Sequence, residues 1–397
     1  MGYIGTKPSA VPLTSADITD GIITSAKIAD GTIVNADINA SAAIVATKLT
    51  GISSQPFRNI VINGDMQIAQ RSTSVASLTS TAYTYETLDR WFFSRTADCG
   101  TWTMSQSTDV PSGEGFAKSL KLDCTATASV SGASTDLRII QKFEGQNLQY
   151  LKYGTANAQS KTLSFWVKST KTGTFIVELN SKDTRSISKS YTVNTTNTWE
   201  KKTITFSGDT SGVIDNDNSE ELSAIFWLVA GSTFSSGTLN TSWGSMTNAN
   251  RAVGQVNIGD NTSNDWLITG VQLEAGTSAT DFEFLPIDVS LGRCQRYYAT
   301  NNVGNNLLGS FCFLTAGFNT SEAFGGSTFP VFMRTTPTVS VFDDNGTALT
   351  VHRTGGGAIA LTSVGLISNS GFSSINSAGL FIADRQYLCT YKADAEL

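Results

Sequence analysis

Few residues of this 397-residue chain have the type and spacing of a catalytic site. Hydrolysis of a glycosidic bond needs two carboxylates, and Asp343–Asp344 and Glu220–Glu221 are adjacent pairs. Neighbours on a strand face opposite ways, so these pairs are better explained as turn and surface residues. The single histidine, His352, has no Gly-x-Ser-x-Gly phrase or histidine cluster to work with. We therefore identify no catalytic residue and expect no enzyme, with glycan cleavage as the alternative.

Tryptophan side chains offer a binding chemistry instead, because a flat indole stacks on the apolar face of a sugar ring. Trp243 lies in "NTSWGSMTNANR", a segment rich in hydrogen-bonding side chains, and is our first candidate for glycan binding. The alternative is a tryptophan that only covers the rim of the fold. Four others lie in strand-like runs, where a core or interface position is expected: Trp91, Trp166, Trp227 and Trp266. The remaining two lie nearer turns: Trp102 and Trp199.

A second candidate binding site is the segment "FDDNGTALTVHRTGGG" near the C-terminus. Its glycines allow the backbone to approach a ligand closely. The polar side chains supply hydrogen-bond acceptors and donors suited to neutral or anionic sugars. An ordinary hairpin with a glycine-rich return is the alternative. The candidate residues are Asp343, Asp344, Asn345, His352 and Arg353.

Composition excludes several classes of partner. The formal net charge of −6 argues against nucleic acid, whose binding requires basic patches. We find no apolar run long enough to span a membrane and no basic-then-apolar leader, so we expect neither membrane insertion nor export by a standard signal peptide. Five scattered cysteines without a Cys-x-x-Cys pair predict buried free thiols rather than a zinc or redox site. No cofactor is expected.

The elements that would position these residues are strands. "TLSFWVKS" alternates Leu163, Phe165 and Val167 with polar or aromatic neighbours, and similar runs recur between turn-rich loops. This pattern predicts an all-β protein with an antiparallel β-sandwich at 57–286 and a second small β-sandwich at 303–397. Between them, 287–302 is expected to be a connector with a short helix capped by Ser290.

Residues 1–56 are interpreted as an attachment segment and repeat stalk. An aliphatic residue recurs every fifth position, which matches neither a helix nor a simple strand. A single copy buries too little apolar surface to fold alone, so we favour a homotrimer in which three chains share one axis. A pentapeptide-type coil and a disordered polar leader are the alternatives. The axis residues would be Ile18, Ile23, Ile28, Ile33 and Ile38.

Two phrases resemble those of carbohydrate-binding jelly-roll modules. Such modules open with Asn-Leu-Leu-x-Asn-Gly-Asp/Gly-Phe and close with Val-x-Leu-Glu, as in "FRNIVINGDMQIAQR" and "WLITGVQLEAGTSATDFE" here. Met66 stands where phenylalanine is usual. The resemblance implies a jelly roll at 57–286 and allows a structural calcium between first and last strands. Its ligands would be Asn63, Asp65 and Asp281, with a self-capping Asn-Gly-Asp turn as the alternative.

Four further phrases resemble tail-fibre and virion structural proteins of phages, cyanophages especially: "MGYIGTKPSAV", "YETLDRWFF", "LGRCQRYYAT" and "YKADAEL". The resemblance implies a trimeric tail fibre, made in the host cytoplasm and located on the virion. It would bind other tail or baseplate proteins through its N-terminus and host-surface glycans through its β-modules. A capsid, collar or baseplate decoration protein and a glycan-degrading tailspike are the alternatives.

Overall fold

The computed structural model describes residues 23, 24, 28, 57–79, 81–96, 98–127, 132–301, 313–317, 319–353 and 355–397. The chain divides into two units, Met1–Ser53 and Ser54–Leu397. Within the described residues the second unit is built mainly of antiparallel strands, which confirms the predicted all-β sandwich class. No helix among the described residues has the length and apolar character needed to cross a membrane.

The larger module, the described part of 57–286, consists of a six-stranded and a seven-stranded antiparallel sheet. Its strands are β1 (Ser74–Leu78), β2 (Ala82–Thr84), β3 (Phe92–Arg95), β4 (Thr101–Ser107), β5 (Ser119–Ala126), β6 (Asp136–Glu144), β7 (Lys161–Ser169), β8 (Gly173–Ser181), β9 (Arg185–Val193), β10 (Glu200–Phe206), β11 (Glu220–Ala230), β12 (Gly244–Ser245) and β13 (Asp265–Ala275). In space the sheets run β1-β4-β5-β13-β7-β10 and β12-β9-β8-β11-β6-β3-β2.

Alternation along the strands builds the core of this module. Leu163, Phe165 and Val167 of β7 share one buried cluster with Phe175 and Val177 of β8, which belongs to the other sheet. Alternate side chains of a strand point to opposite faces, so the next residues along β7 point away from this core. The predicted alternation is thereby confirmed, and the two sheets pack face to face as a sandwich.

Short helices lie in the connections of the larger module. A one-turn α-helix, α1, spans Ser232–Ser235. The 3-10 helices span Gly145–Asn147, Gln149–Leu151, Asn248–Asn250 and Ile258–Asp260. Four cysteines within the described residues are buried free thiols, as predicted: Cys99, Cys124, Cys294 and Cys389. Cys312 lies outside the described residues.

Helix α2 (Ile287–Gln295) and a short strand occupy the predicted connector. The residue preceding the first turn is Pro286, and Ser290 lies inside the helix, where its amide bonds to the Pro286 carbonyl. The prediction that Ser290 caps the helix is therefore wrong. Proline suits the start of a helix because it lacks an amide hydrogen and its φ is already close to helical.

The C-terminal module, the described part of 298–397, is organised around one long strand. Its strands are β14 (Tyr298–Thr300), β15 (Phe313–Gly317), β16 (Glu322–Thr328), β17 (Thr338–Phe342), β18 (Thr350–Arg353), β19 (Ala358–Ala360), β20 (Ser363–Ser368), β21 (Gly371–Asn376) and β22 (Gln386–Asp394). The first half of β22 pairs with β15 and β18, and its second half pairs with β14 and β17. Strand β14, from the predicted connector, thus belongs to this module's sheet.

Buried cations join the two modules through the phrases that resemble phage proteins. Arg90, which has no exposed surface, forms an ion pair with Glu396, and its guanidinium lies 3.5 Å from the ring centroid of Tyr297. Arg71 lies 3.3 Å from Glu396 and 3.7 Å from the ring centroid of Tyr298. Residues of "YETLDRWFF", "LGRCQRYYAT" and "YKADAEL" therefore meet in one cluster. We call this arginine–glutamate cluster the clasp.

Candidate functional site

The outward face of the six-stranded sheet carries a half-buried tryptophan. Trp166 of β7 is flanked in register by Lys201 on β10 and Thr269 on β13. Its neighbours Phe165 and Val167 point into the core, so its indole lies on the opposite face. Lys201 is exposed, and no ion-pair partner for it occurs among the described residues. An aromatic surface with an unpaired polar neighbour is therefore available to a ligand.

A cluster of phenylalanines lies at the same place. Phe116, Phe282 and Phe284 have ring centroids 4.9–5.1 Å apart, and the Phe284 side chain is 49% exposed. A β-carbon on Gly270 would lie 2.5 Å from the Phe116 ring, and the φ of Gly270 is +62°. Only glycine suits this position, because it permits both the positive φ and the close approach of the ring to β13.

These residues surround a cavity of about 310 Å³. We call Trp166, Phe116, Phe282 and Phe284 the aromatic platform. The charged groups around the cavity are two carboxylates and one ammonium group, and a serine hydroxyl adds a hydrogen-bonding group. Exposed aromatic rings beside polar groups suit the mixed apolar and hydroxyl surface of a neutral sugar. The charged and hydroxyl residues are Glu114, Asp281, Lys201 and Ser164.

Trp243, the first sequence candidate, has a packing role. Its indole nitrogen donates to the Ser207 carbonyl (2.8 Å), and its ring meets Tyr153 edge-on at 5.8 Å. The ammonium group of the fully buried Lys161 lies 4.3 Å from the Tyr153 ring centroid and 5.5 Å from that of Trp243. Burial lowers the pKa of Lys161 from 10.5 to about 8. Trp243 thus packs on the rim of the core beside a buried cation, and glycan binding by its indole remains a prediction.

In the C-terminal segment the predicted site residues separate into two groups. Asp343 is buried, and its Oδ1 accepts the amide hydrogens of Asn345 and Thr347 at 3.0 and 2.7 Å, so this carboxylate fixes the turn. Asp344 and His352 come together at 3.2 Å. Arg353 follows His352 in β18, beside the glycine turn. Ligand binding at this segment remains a prediction. Asp343 Oδ1 already accepts two amide hydrogens of the turn and is not available as an acceptor for a ligand.

The proposed calcium ligands are engaged differently from each other. Asn63 Oδ1 accepts the Ile68 amide hydrogen at 2.9 Å, and its Nδ2 donates to the carbonyls of Ile68 and Asp89. Asp65 is buried while Asp281 is exposed. No cluster of three or more His, Cys, Asp or Glu suited to a metal occurs among the described residues. Asn63 fits the self-capping turn and does not fit a calcium site, so calcium binding remains a prediction without support from this residue.

Only two of the five stalk residues are described, and both expose aliphatic surface: Ile23 is 53% exposed and Ile28 is 39% exposed. Ile18, Ile33 and Ile38 lie outside the described residues. The shared axis of three chains therefore remains a prediction.

The tryptophans distribute differently from the sequence expectation. Trp91, Trp227 and Trp266 are fully buried as expected, but Trp102 is buried too, while Trp166 lies on the outward face. The signal for Trp166 was present in "TLSFWVKS", because Leu163, Phe165 and Val167 share one face and leave Trp166 on the other. Of the two positions expected for Trp166, a core position is therefore wrong and an interface position remains a prediction.

Neither a protein-family model nor a curated protein sequence matches this chain. Among solved structures, a domain of tailspike protein 4 of bacteriophage CBA120 is 15% identical at a TM-score of 0.30, over 56% of this chain and 22% of that one. The family 11 carbohydrate-binding module of Clostridium thermocellum is 13% identical at a TM-score of 0.25, over 53% and 99%. The N-terminal cellulose-binding domain of Cellulomonas fimi β-1,4-glucanase C is 12% identical at 0.23, over 44% and 85%. Likeness this distant assigns neither family nor function.

Proposed function

We propose that the larger module recognises a neutral glycan on the aromatic platform. The observation that carries this proposal is Trp166 on the outward face of β7, beside Phe284, which is 49% exposed, around one cavity. Exposing these rings has no benefit to folding, because each would gain free energy on burial. A sugar ring would cover them with its C–H face while Lys201 and Ser164 bind its hydroxyls.

We further propose that the chain is a structural appendage of a phage virion, a homotrimeric tail fibre attached through its N-terminal segment. The four phrases that resemble those of such proteins support this role. The clasp supports it as well, since a fibre that transmits force from cell surface to particle needs firmly joined modules. The role as a capsid, collar or baseplate decoration is the second candidate, and labelling of this chain on intact particles distinguishes the two locations.

The binding proposal is tested with single substitutions and a glycan array of host-surface polysaccharides, followed by calorimetry on each hit. Trp166→Ala and Phe284→Ala should each reduce affinity at least about tenfold, which is about 1.4 kcal/mol. Trp243→Ala is the matched control, because this indole packs on the rim and not at the platform. Unchanged binding by both platform variants, with folding confirmed by circular dichroism, contradicts the proposal. A loss with Trp243→Ala alone would return the site to the first sequence candidate.

We also propose that the chain binds glycan without cleaving it. Hydrolysis would need a pair of carboxylates, and the two that line the platform cavity, Glu114 and Asp281, are both exposed to water, whereas the general acid of a glycosidase works in a sheltered, apolar site. Prolonged incubation of the protein with each glycan that it binds should release no reducing ends. Release that is lost with Glu114→Gln, Asp281→Asn or Asp344→Asn would favour the tailspike alternative instead.

A further inference from the structure

A second, larger cavity lies beside α2 and the segment that opens the larger module. Its volume is about 610 Å³, within the range of small-molecule sites. Helix α2, the end of β6, the 3-10 turns that follow β6 and the segment 57–62 form its walls. We call it the α2 cleft. The residues that matter for its chemistry are Phe57, Lys142, Glu144, Asn147, Tyr150, Arg293 and Arg296.

The α2 cleft is positively charged, unlike the platform. Three cations and one carboxylate line it, a net charge of +2. Arg296 is neutralised, since its Nε and Nη2 bond to the two oxygens of Glu144 at 2.8 and 2.7 Å. Lys142 lies 3.3 Å from Glu220 and donates to the Leu397 carbonyl at 2.8 Å. Arg296 and Lys142 therefore already have carboxylate partners within the protein.

Arg293 is the exception. Its only hydrogen bond among the described residues runs from Nη2 to the Asn59 carbonyl at a long 3.3 Å. The charge of Glu283 raises the pKa of Arg293, but that carboxylate accepts the Asn59 amide hydrogen and lies 3.8 Å from Arg58. No carboxylate among the described residues lies within ion-pair distance of Arg293, and burial lowers the pKa of this cation. Most of its five N–H donors therefore remain available to a ligand.

Two aromatic rings and an amide complete the cleft. Tyr150 is 50% exposed and Phe57 is 62% exposed, so both present ring surface to solvent. Asn147 is exposed and makes no side-chain hydrogen bond within the described residues. The guanidinium fork of arginine matches a carboxylate with two parallel hydrogen bonds. Rings of this kind stack on sugars, and an amide binds hydroxyls by donating and accepting.

We infer that the α2 cleft is a second binding site, for a carboxylate-bearing sugar residue of a polysaccharide. Arg293 would bind the carboxylate, Tyr150 or Phe57 would stack on the ring, and Asn147 would bind a hydroxyl. The inference uses none of the platform residues, so either site can fail alone.

The test measures binding of glucuronate, galacturonate and mannuronate oligosaccharides by calorimetry, each beside its carboxyl-reduced counterpart. The pairs have the same stereochemistry and differ only in the charged group. At least one acidic member should bind at least about tenfold tighter than its reduced counterpart, and more weakly as salt rises. Arg293→Gln should abolish this difference, and Arg293→Lys should restore part of it because it keeps the charge without the fork. Inorganic phosphate is the competing probe.

Tyr150→Ala is a second variant, for the case that Arg293→Gln does not fold. The Tyr150 side chain is half-exposed, so its removal should lower the affinity for the oligosaccharide without affecting the stability of the protein. Arg385→Gln, at an exposed arginine of the C-terminal module that has no ion-pair partner among the described residues, is the matched control and should leave acidic binding unchanged. The inference is overturned if no acidic oligosaccharide binds at millimolar concentration, if the reduced counterparts bind equally well, or if Arg293→Gln binds as the wild type does. Arg293-dependent binding of phosphate alone would overturn the sugar assignment.

Discussion

Replacing Lys161 with methionine should stabilise the larger module at neutral pH. Lys161 is fully buried, its Nζ makes one long hydrogen bond to the Gln159 carbonyl (3.4 Å), and burial lowers its pKa from 10.5 to about 8 against the opposing charge of Asp209. That difference corresponds to about 3 kcal/mol of penalty on the charged form. The rings of Tyr153 and Trp243 offset about 0.5–2 kcal/mol of it. Lys161→Met should therefore gain about 1–3 kcal/mol in the free energy of unfolding at pH 7.

The gain should depend on pH in a defined direction. The folded pKa lies below the unfolded one, so the unfolded chain binds more protons between about pH 8 and pH 10.5. The free energy of unfolding of the wild type therefore rises with pH across that window, because the penalty for burying the charged lysine disappears. The stability advantage of Lys161→Met shrinks accordingly and is near zero at the upper end of the window. Below about pH 8 both states are protonated and the advantage is fully present.

Urea unfolding followed by tryptophan fluorescence at pH 7 and pH 10 measures both effects. All seven tryptophans lie between Trp91 and Trp266, so the signal reports on the larger module. Lys201→Met, at an exposed lysine of the same module, is the control and should change stability little at either pH. A variant less stable than the wild type at pH 7, or an advantage that is equal at both pH values, would refute the reasoning.

Three further predictions concern the clasp, the platform and the stalk. Glu396→Gln should cost about 3–5 kcal/mol, seen as a lower urea midpoint, because it leaves the buried Arg90 without its carboxylate; an effect below about 1 kcal/mol would disprove the clasp. Gly270→Ala should displace the Phe116 ring and weaken glycan binding in calorimetry, and equal affinity would show that the ring position is immaterial. The full chain should have a solution mass three times 42.2 kDa that falls to one chain with Ile28→Asp; a monomeric wild type would end the stalk hypothesis.

Prediction from sequence succeeded where the signal is local. The alternation of Leu163, Phe165 and Val167 is visible in eight consecutive residues, and the sandwich places those side chains in its core. Period-two patterning needs only the geometry of a strand, so it survives whatever the rest of the chain does. The turn at Asp343 is of the same kind, because its carboxylate bonds to amides two and four residues ahead.

The candidate site could not be assigned in this way. In the sequence Trp243 stands among polar residues and Trp166 stands in an apolar strand, yet Ser207 and Tyr153 engage Trp243 while Trp166 keeps an outward face. Arg293 likewise depends on the tertiary structure. Its guanidinium is available to a ligand because no carboxylate among the described residues forms an ion pair with it. Whether a side chain is free for a ligand depends on what distant segments cover or neutralise.

The sequence by itself determined the all-β class, the strand faces and the phrases that suggest a phage appendage. Tertiary structure alone decided that those phrases meet, because Arg90 and Glu396 are separated by 306 positions and become neighbours only when both modules are formed. It likewise decided which aromatic rings remain exposed and which cation lacks a carboxylate partner. The physical reason is that backbone periodicity is encoded locally, whereas burial and charge balance are properties of long-range packing.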